Sequence, residues 1–111
     1  MIEQHWVVRW HDGHSGWKND DVIHHEYKPA AMRAKLLSKD PDKIVVRVAK
    51  VKITARLPQY YMVRFVTTLG PRLFPRFFVT EHEARDTARD LTQNKAILEL
   101  SVVRVLLLQN A

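Results

Sequence analysis

His5-Trp6-Val7-Val8-Arg9-Trp10 and Tyr60-Tyr61-Met62-Val63-Arg64-Phe65 are the same phrase written twice. In each copy a valine-arginine pair sits between two aromatics, Trp6 and Trp10 in the first, Tyr61 and Phe65 in the second. β-branched and aromatic residues in strict alternation predict a strand at both places. One face of the first carries Trp6, Val8 and Trp10, and the other carries His5, Val7, Arg9 and His11. In the second, Tyr61, Val63, Phe65 and Thr67 alternate with Tyr60, Met62, Arg64 and Val66.

The correspondence extends outward from the phrase. Downstream of the first copy, Ala30, Ala34 and Leu37 follow at i, i+4 and i+7 after Pro29, a residue suited to a first helical turn. Downstream of the second, Ala84, Ala88 and Leu91 form the same stripe, behind a capping box at Thr80-Glu81-His82-Glu83. After each helix comes another β-prone run. Ile44–Val51 lies over Leu98–Val105 at a constant offset, with apolar positions matched and Lys50 over Arg104. Residues 43–57 alternate apolar and basic, but the pattern slips near Ala49–Lys50, which suits a bulge or bend. Asp12-Gly13 and Gly70-Pro71 read as turns, and His14–Asp21 as an exposed loop before a short strand at 22–25. Leu73–Val79 reads as a strand that Pro75 limits to a sheet edge or to a late start.

Each half is therefore strand, optional short strand, helix, strand. Two such halves predict an α+β fold of internally duplicated β-(β)-α-β units, a ferredoxin-like two-layer sandwich with an antiparallel sheet. The chain of 111 residues is expected to be a single domain, with repeat halves 1–53 and 54–111. In that arrangement the repeated strands lie side by side at the sheet centre, and both helices cover one face. Burying the aromatic sides under the helices stabilises by about 1.5–3 kcal/mol per side chain. The other face then shows Arg9, Arg64, Tyr60 and their neighbours to solvent.

Composition narrows the function classes. Hydrophobic content of 46% against 27% charged is that of a folded chain, not a disordered one. With no cysteine, disulfides, thiolate metal sites and a cysteine nucleophile are excluded. The N-terminal residues lack the basic-then-apolar pattern of a signal peptide, and Arg104 breaks the longest apolar run. A cytoplasmic location and no membrane partner are expected.

Eighteen Lys/Arg against twelve Asp/Glu leave a formal charge of +6. Residues 1–53 hold ten basic and seven acidic side chains, residues 54–111 eight and five, so each half is +3. The charge belongs to the folded body and favours a polyanion, an acidic protein surface or membrane headgroups.

Phosphate-binding glycine loops, nucleophile elbows, zinc motifs and paired catalytic carboxylates are absent, so no enzyme activity and no cofactor are expected. His11-Asp12-Gly13-His14, with His24-His25, offers metal-type ligands, but the spacing matches no metal motif and surface histidines account for it. Arg72 and Arg76 flank Phe74, Phe77 and Phe78, a composition that suits nucleic acid or a protein hot spot. On the second helix, Arg85 and Arg89 interleave with Glu81, Asp86 and Asp90 as a salt-bridged solvated face does.

Residues 60–93 resemble the arm-type DNA-binding domain of tyrosine-family integrases. The likeness rests on Tyr61-Met-Val-Arg64, the Gly70-Pro71 turn, and Phe78-Val-Thr-Glu-His-Glu-Ala84 leading into the Ala88/Leu91 helix. It implies a three-stranded sheet laid in a DNA groove with a helix behind it. Arg64, Arg72 and Arg76 would face DNA, with Arg9 and Lys18 their partners in the first half.

The expected function is a small basic non-catalytic nucleic-acid-binding domain, for DNA or RNA. Its exposed sheet face would use Arg9, Lys18, Tyr60, Arg64, Arg72 and Arg76. The alternative is a phage or mobile-element protein that inhibits or adapts a host protein with an acidic surface. An open sheet face also leaves room for a homodimer.

Overall fold

The computed structural model describes residues 3–109. Their contacts divide the chain into two compact units. One runs to Val51 and takes in the last stretch from Leu107, and the other is Lys52–Leu106.

The first unit contains strands β1 (Trp6–His11) and β2 (Trp17–His24), helix α1 (Tyr27–Leu37) and most of strand β3 (Val45–Thr54). β1 lies between β2 and β3 and pairs antiparallel with both. β2 is longer than the short strand predicted and begins inside the expected loop. Its polar residues are satisfied there: Asn19 accepts a 2.7 Å hydrogen bond from Arg9, and Asp20 accepts from Arg33 of α1 at 2.9 Å. The β1–β3 register runs unbroken from Trp6↔Lys50 to His11↔Val45, so the predicted bulge at Ala49–Lys50 is not there. Val48 and Ala49 are both buried, which is why the alternation slips. The irregularity lies instead in β2, opposite the step from Val7 to Arg9.

α1 packs on β1 and β2, with Ala30 fully buried and Tyr27 set edge-on to Trp6 at 5.3 Å. Pro29 falls in its first turn, where a missing N–H costs nothing.

The second unit contains strands β4 (Tyr60–Thr67) and β5 (Gly70–Leu73), helix α2 (Glu81–Leu91) and most of strand β6 (Glu99–Gln109). β4 pairs antiparallel with β5 on one side and β6 on the other. β5 ends where Phe74 begins, earlier than the predicted strand, and Phe78 rejoins β4 only through an isolated bridge to Tyr61. Thr80 caps α2 by accepting from the Glu83 N–H at 3.3 Å. The helix presses Ala84, Ala88 and Leu91 onto Tyr61, Val63, Phe74, Phe78, Leu100 and Val102.

The ferredoxin-like sandwich is corrected by these pairings. β1 has both edges occupied by strands of its own half, and so has β4, so the two cannot be neighbours at one sheet centre. The fold is mostly antiparallel sheet, six strands with two helices among the described residues. Nor is either repeated strand open on one side. Val7 and Val8 are consecutive, point to opposite faces and are both fully buried, as are Met62 and Val63.

The β1–β2 turn needs glycine. Gly13 sits at φ +86°, and a Cβ there would stand 3.0 Å from Ile44 Cδ1. Gly13→Ala should cost about 1–2 kcal/mol, from left-handed strain, read as a lower denaturant midpoint at unchanged slope. An unchanged midpoint would mean the turn relaxes freely.

Candidate nucleic-acid interface

The six residues expected to form the site fall in both units, Arg9 and Lys18 in the first and Tyr60, Arg64, Arg72 and Arg76 in the second. Arg9 is buried on β1, 7% exposed. Its guanidinium, a permanent charge that needs partners when desolvated, donates to Asn19 Oδ1 and lies 5.4 Å from the centre of the Trp17 ring. The outward Arg9/Arg64 pair therefore fails at its first member. Lys18 is exposed on β2, 3.6 Å from Asp12. Arg64 is half-buried in the middle of β4, opposite Leu73 and Ser101. Arg72 is half-buried on β5 and donates to the Pro71 carbonyl at 2.9 Å. Tyr60 stands four residues from Arg64 along β4, about 13 Å away at strand spacing. Within the second unit, Tyr60 and Arg76 each contact one of the consecutive rings Phe77 and Phe78.

These contacts lie beside the start of β4, all within the second unit. The Tyr60 and Phe77 rings, each half-buried, pack edge-to-face at 5.3 Å. One residue on, Tyr61 exchanges backbone hydrogen bonds of 2.8 Å with Phe78. The exposed Arg76 guanidinium lies 5.1 Å from the Phe78 ring centre. On the other side Tyr61 faces Arg104 of β6, which is exposed and donates to the Ala55 carbonyl at 3.4 Å. Arg56, also exposed, follows Ala55 directly. Three exposed arginines thus flank the end of a strand that carries an aromatic pair. None of the three makes an ion pair with a carboxylate among the described residues.

The surface of α2 is electrostatically closed by comparison. Arg85 pairs with Glu81 at 3.0 Å, Arg89 with Asp86 at 3.6 Å, and His82 approaches Asp86 at 3.4 Å. In the first unit the tryptophan faces are already occupied by the chain's own cations. Lys43 lies 5.0 Å from the Trp10 ring centre, Lys50 5.7 Å from Trp6, and Arg9 covers Trp17. An aromatic face so covered offers little to a stacking base.

The histidine loop is a built turn. Asp12 accepts from the His14 and Ser15 N–H groups, each at 2.8 Å, and from the Ser15 hydroxyl, and Gly13 N–H donates to His11 Nδ1. The Ser15 hydroxyl first, then those N–H groups, hold the Asp12 carboxyl well below the usual carboxylate range. Among the described residues no three His, Asp or Glu side chains gather as a metal site requires. No described helix is long and apolar enough to cross a membrane.

Arg56 and Arg104 are the site residues that sequence reasoning missed. Arg104 interrupts an apolar run, a visible signal, but only the β4–β6 register places it opposite Tyr61. Arg56 sits in a turn and carries no local mark. Comparison with known proteins adds nothing here: no family model, no curated protein and no solved structure matches the chain.

Proposed function

We propose that the protein is a non-catalytic module that binds single-stranded nucleic acid at the arginine-aromatic end of its second unit. The observation that carries this reading is the set of exposed arginines, Arg56, Arg76 and Arg104, at the end of the second unit that also carries the Tyr60–Phe77 ring pair, with Arg76 against Phe78 and Arg104 opposite Tyr61. Aromatic rings can stack on any base, and guanidinium groups track the phosphates beside it. Because the contact is to backbone and ring faces, the module should tolerate many sequences. Arg and Tyr are also the residues of protein hot spots, so an acidic protein surface is the second reading.

The test is fluorescence polarisation with labelled single-stranded DNA and RNA oligonucleotides. Three arginines on three phosphates give a log–log salt slope of about −2, or about fifteenfold weaker binding between roughly 50 and 200 mM salt. Tyr60→Ala should weaken binding about five- to 150-fold. Each of Arg56→Ala, Arg76→Ala and Arg104→Ala should flatten the slope by about 0.7. Absence of binding at low salt would end the nucleic-acid reading and leave the acidic protein partner.

A further inference from the structure

The two helices differ on their outer sides. On α1 the residues turned to the sheet are Ala30, Arg33, Ala34 and Leu37, buried or half-buried. Lys28, Met32, Lys35 and Leu36 project from the opposite side, and Lys39 follows just past the end, within an arc of about 100°. Met32 is 65% exposed and Leu36 56%, one turn apart. The three lysines are exposed, and none pairs with a carboxylate among the described residues. No acidic residue stands in the first turn of the helix. α2 shows no such surface, because its two arginines are paired with Glu81 and Asp86 and its outer side carries more carboxylates than cations.

From this face we infer that α1 is a peripheral docking surface for an anionic lipid bilayer. Two apolar side chains ringed by lysines suit the boundary between acyl chains and headgroups: Met32 and Leu36 enter, and the ammonium groups reach up to lipid phosphates and carboxylates. The alternatives fit less well. A helix-binding groove would have to close around the flanks of α1, but those flanks are packed on β1 and β2. A second copy placed face to face would set lysine against lysine. Nucleic acid has no use for the methionine and leucine. A bilayer contact departs from the expectation of no membrane partner, which rested on the lack of a spanning run, because a helix lying on a surface needs no such run. This site shares no residue with the arginine-aromatic end.

The experiment is co-sedimentation of the full chain with vesicles of phosphatidylserine and phosphatidylcholine, against vesicles of phosphatidylcholine alone. Sedimentation is expected only with the anionic vesicles. Each lysine contributes on the order of fivefold at such a surface, so Lys28→Gln/Lys35→Gln/Lys39→Gln should reduce partitioning by about a hundredfold. Met32→Gln/Leu36→Gln should reduce it at least about tenfold. Both variants replace exposed residues with a good helix former, so circular dichroism should be unchanged and oligonucleotide binding retained. The inference is overturned if anionic vesicles do not sediment the protein. It is equally overturned if Met32→Gln/Leu36→Gln sediments like the parent, or if soluble polyglutamate binds as strongly as the vesicles do.

Discussion

Met62→Ala is expected to destabilise the protein by about 2–5 kcal/mol, enough to lower the melting temperature by roughly 10–30 °C. The reason lies in the strand, not in the residue type. Met62 belongs to the alternate set of β4 that an open-faced sheet would present to water, yet it is fully buried, as is Val63 on the reverse side. A truncated methionine on a solvated face would change stability by no more than about 0.5 kcal/mol. A truncated methionine in a closed interior loses its transfer free energy and leaves a cavity besides. Met62→Leu, which keeps most of the volume, should cost less than about 1.5 kcal/mol. Ser101→Ala, at an exposed residue of β6, is the matching control. Thermal unfolding of the three variants decides the matter, and a small effect for Met62→Ala would restore the open face.

That same residue shows how far the fold was legible. Local features read well because their causes are local: the Thr80 cap, the Ala84/Ala88/Leu91 stripe and the full span of β4 need only neighbouring residues. The phrase itself was ambiguous. Val7-Val8 and Met62-Val63 are adjacent apolar pairs, the pattern of a strand covered on both faces, but Arg9 and Arg64 invite the opposite reading. Arg9 could be buried only because Asn19 and Trp17 await it on β2, a partnership set by a pairing ten residues away in a stretch read as loop. Strand order was beyond local reading altogether. A strand that recurs once per half is compatible with two central neighbours or with two separate centres, and the choice depends on which edges its own hairpin and crossover strands occupy. Of the site, Tyr60 and Arg76 were visible as an aromatic and a cation near turns, and Arg104 joins them only through the antiparallel register.

The buried polar pair under α1 leads to the other large effect, and to a pH dependence with two steps. Asp20 is 5% exposed on β2 and receives Arg33 Nε at 2.9 Å and Nη2 at 3.3 Å. Burial pushes the Asp20 carboxyl up, but the hydrogen bonds and charge of Arg33 outweigh it and leave the group below its ordinary value. A carboxylate whose folded pKa is depressed adds stability above its unfolded pKa, near about 4, and loses it as pH falls through the folded value. His24 sits two residues before α1's N-cap Glu26, with its Nε2 buried and without a hydrogen-bond partner among the described residues. Burial lowers its pKa, Asp20 partly opposing and Arg33 reinforcing the shift. A depressed histidine likewise stabilises the fold above its unfolded pKa of about 6.5, and that contribution is lost on acidification from there. Stability should therefore decline in two stages, the first below about pH 6.5 and the second below about pH 4. Denaturant midpoints across that range should show His24→Gln without the upper stage and Asp20→Asn with a smaller lower one, to which the Asp12 and Asp40 carboxyls, also held below their ordinary value, contribute as well. At neutral pH, Asp20→Ala should cost about 1.5–3 kcal/mol, toward the lower end because Arg33 keeps some contact with water. Arg33→Met should destabilise at least as much, since it strands a buried carboxylate, and its deficit should shrink as acid neutralises Asp20. A flat profile for the parent protein, or an Arg33→Met deficit that persists unchanged at low pH, would show that this pair does not anchor α1 to the sheet.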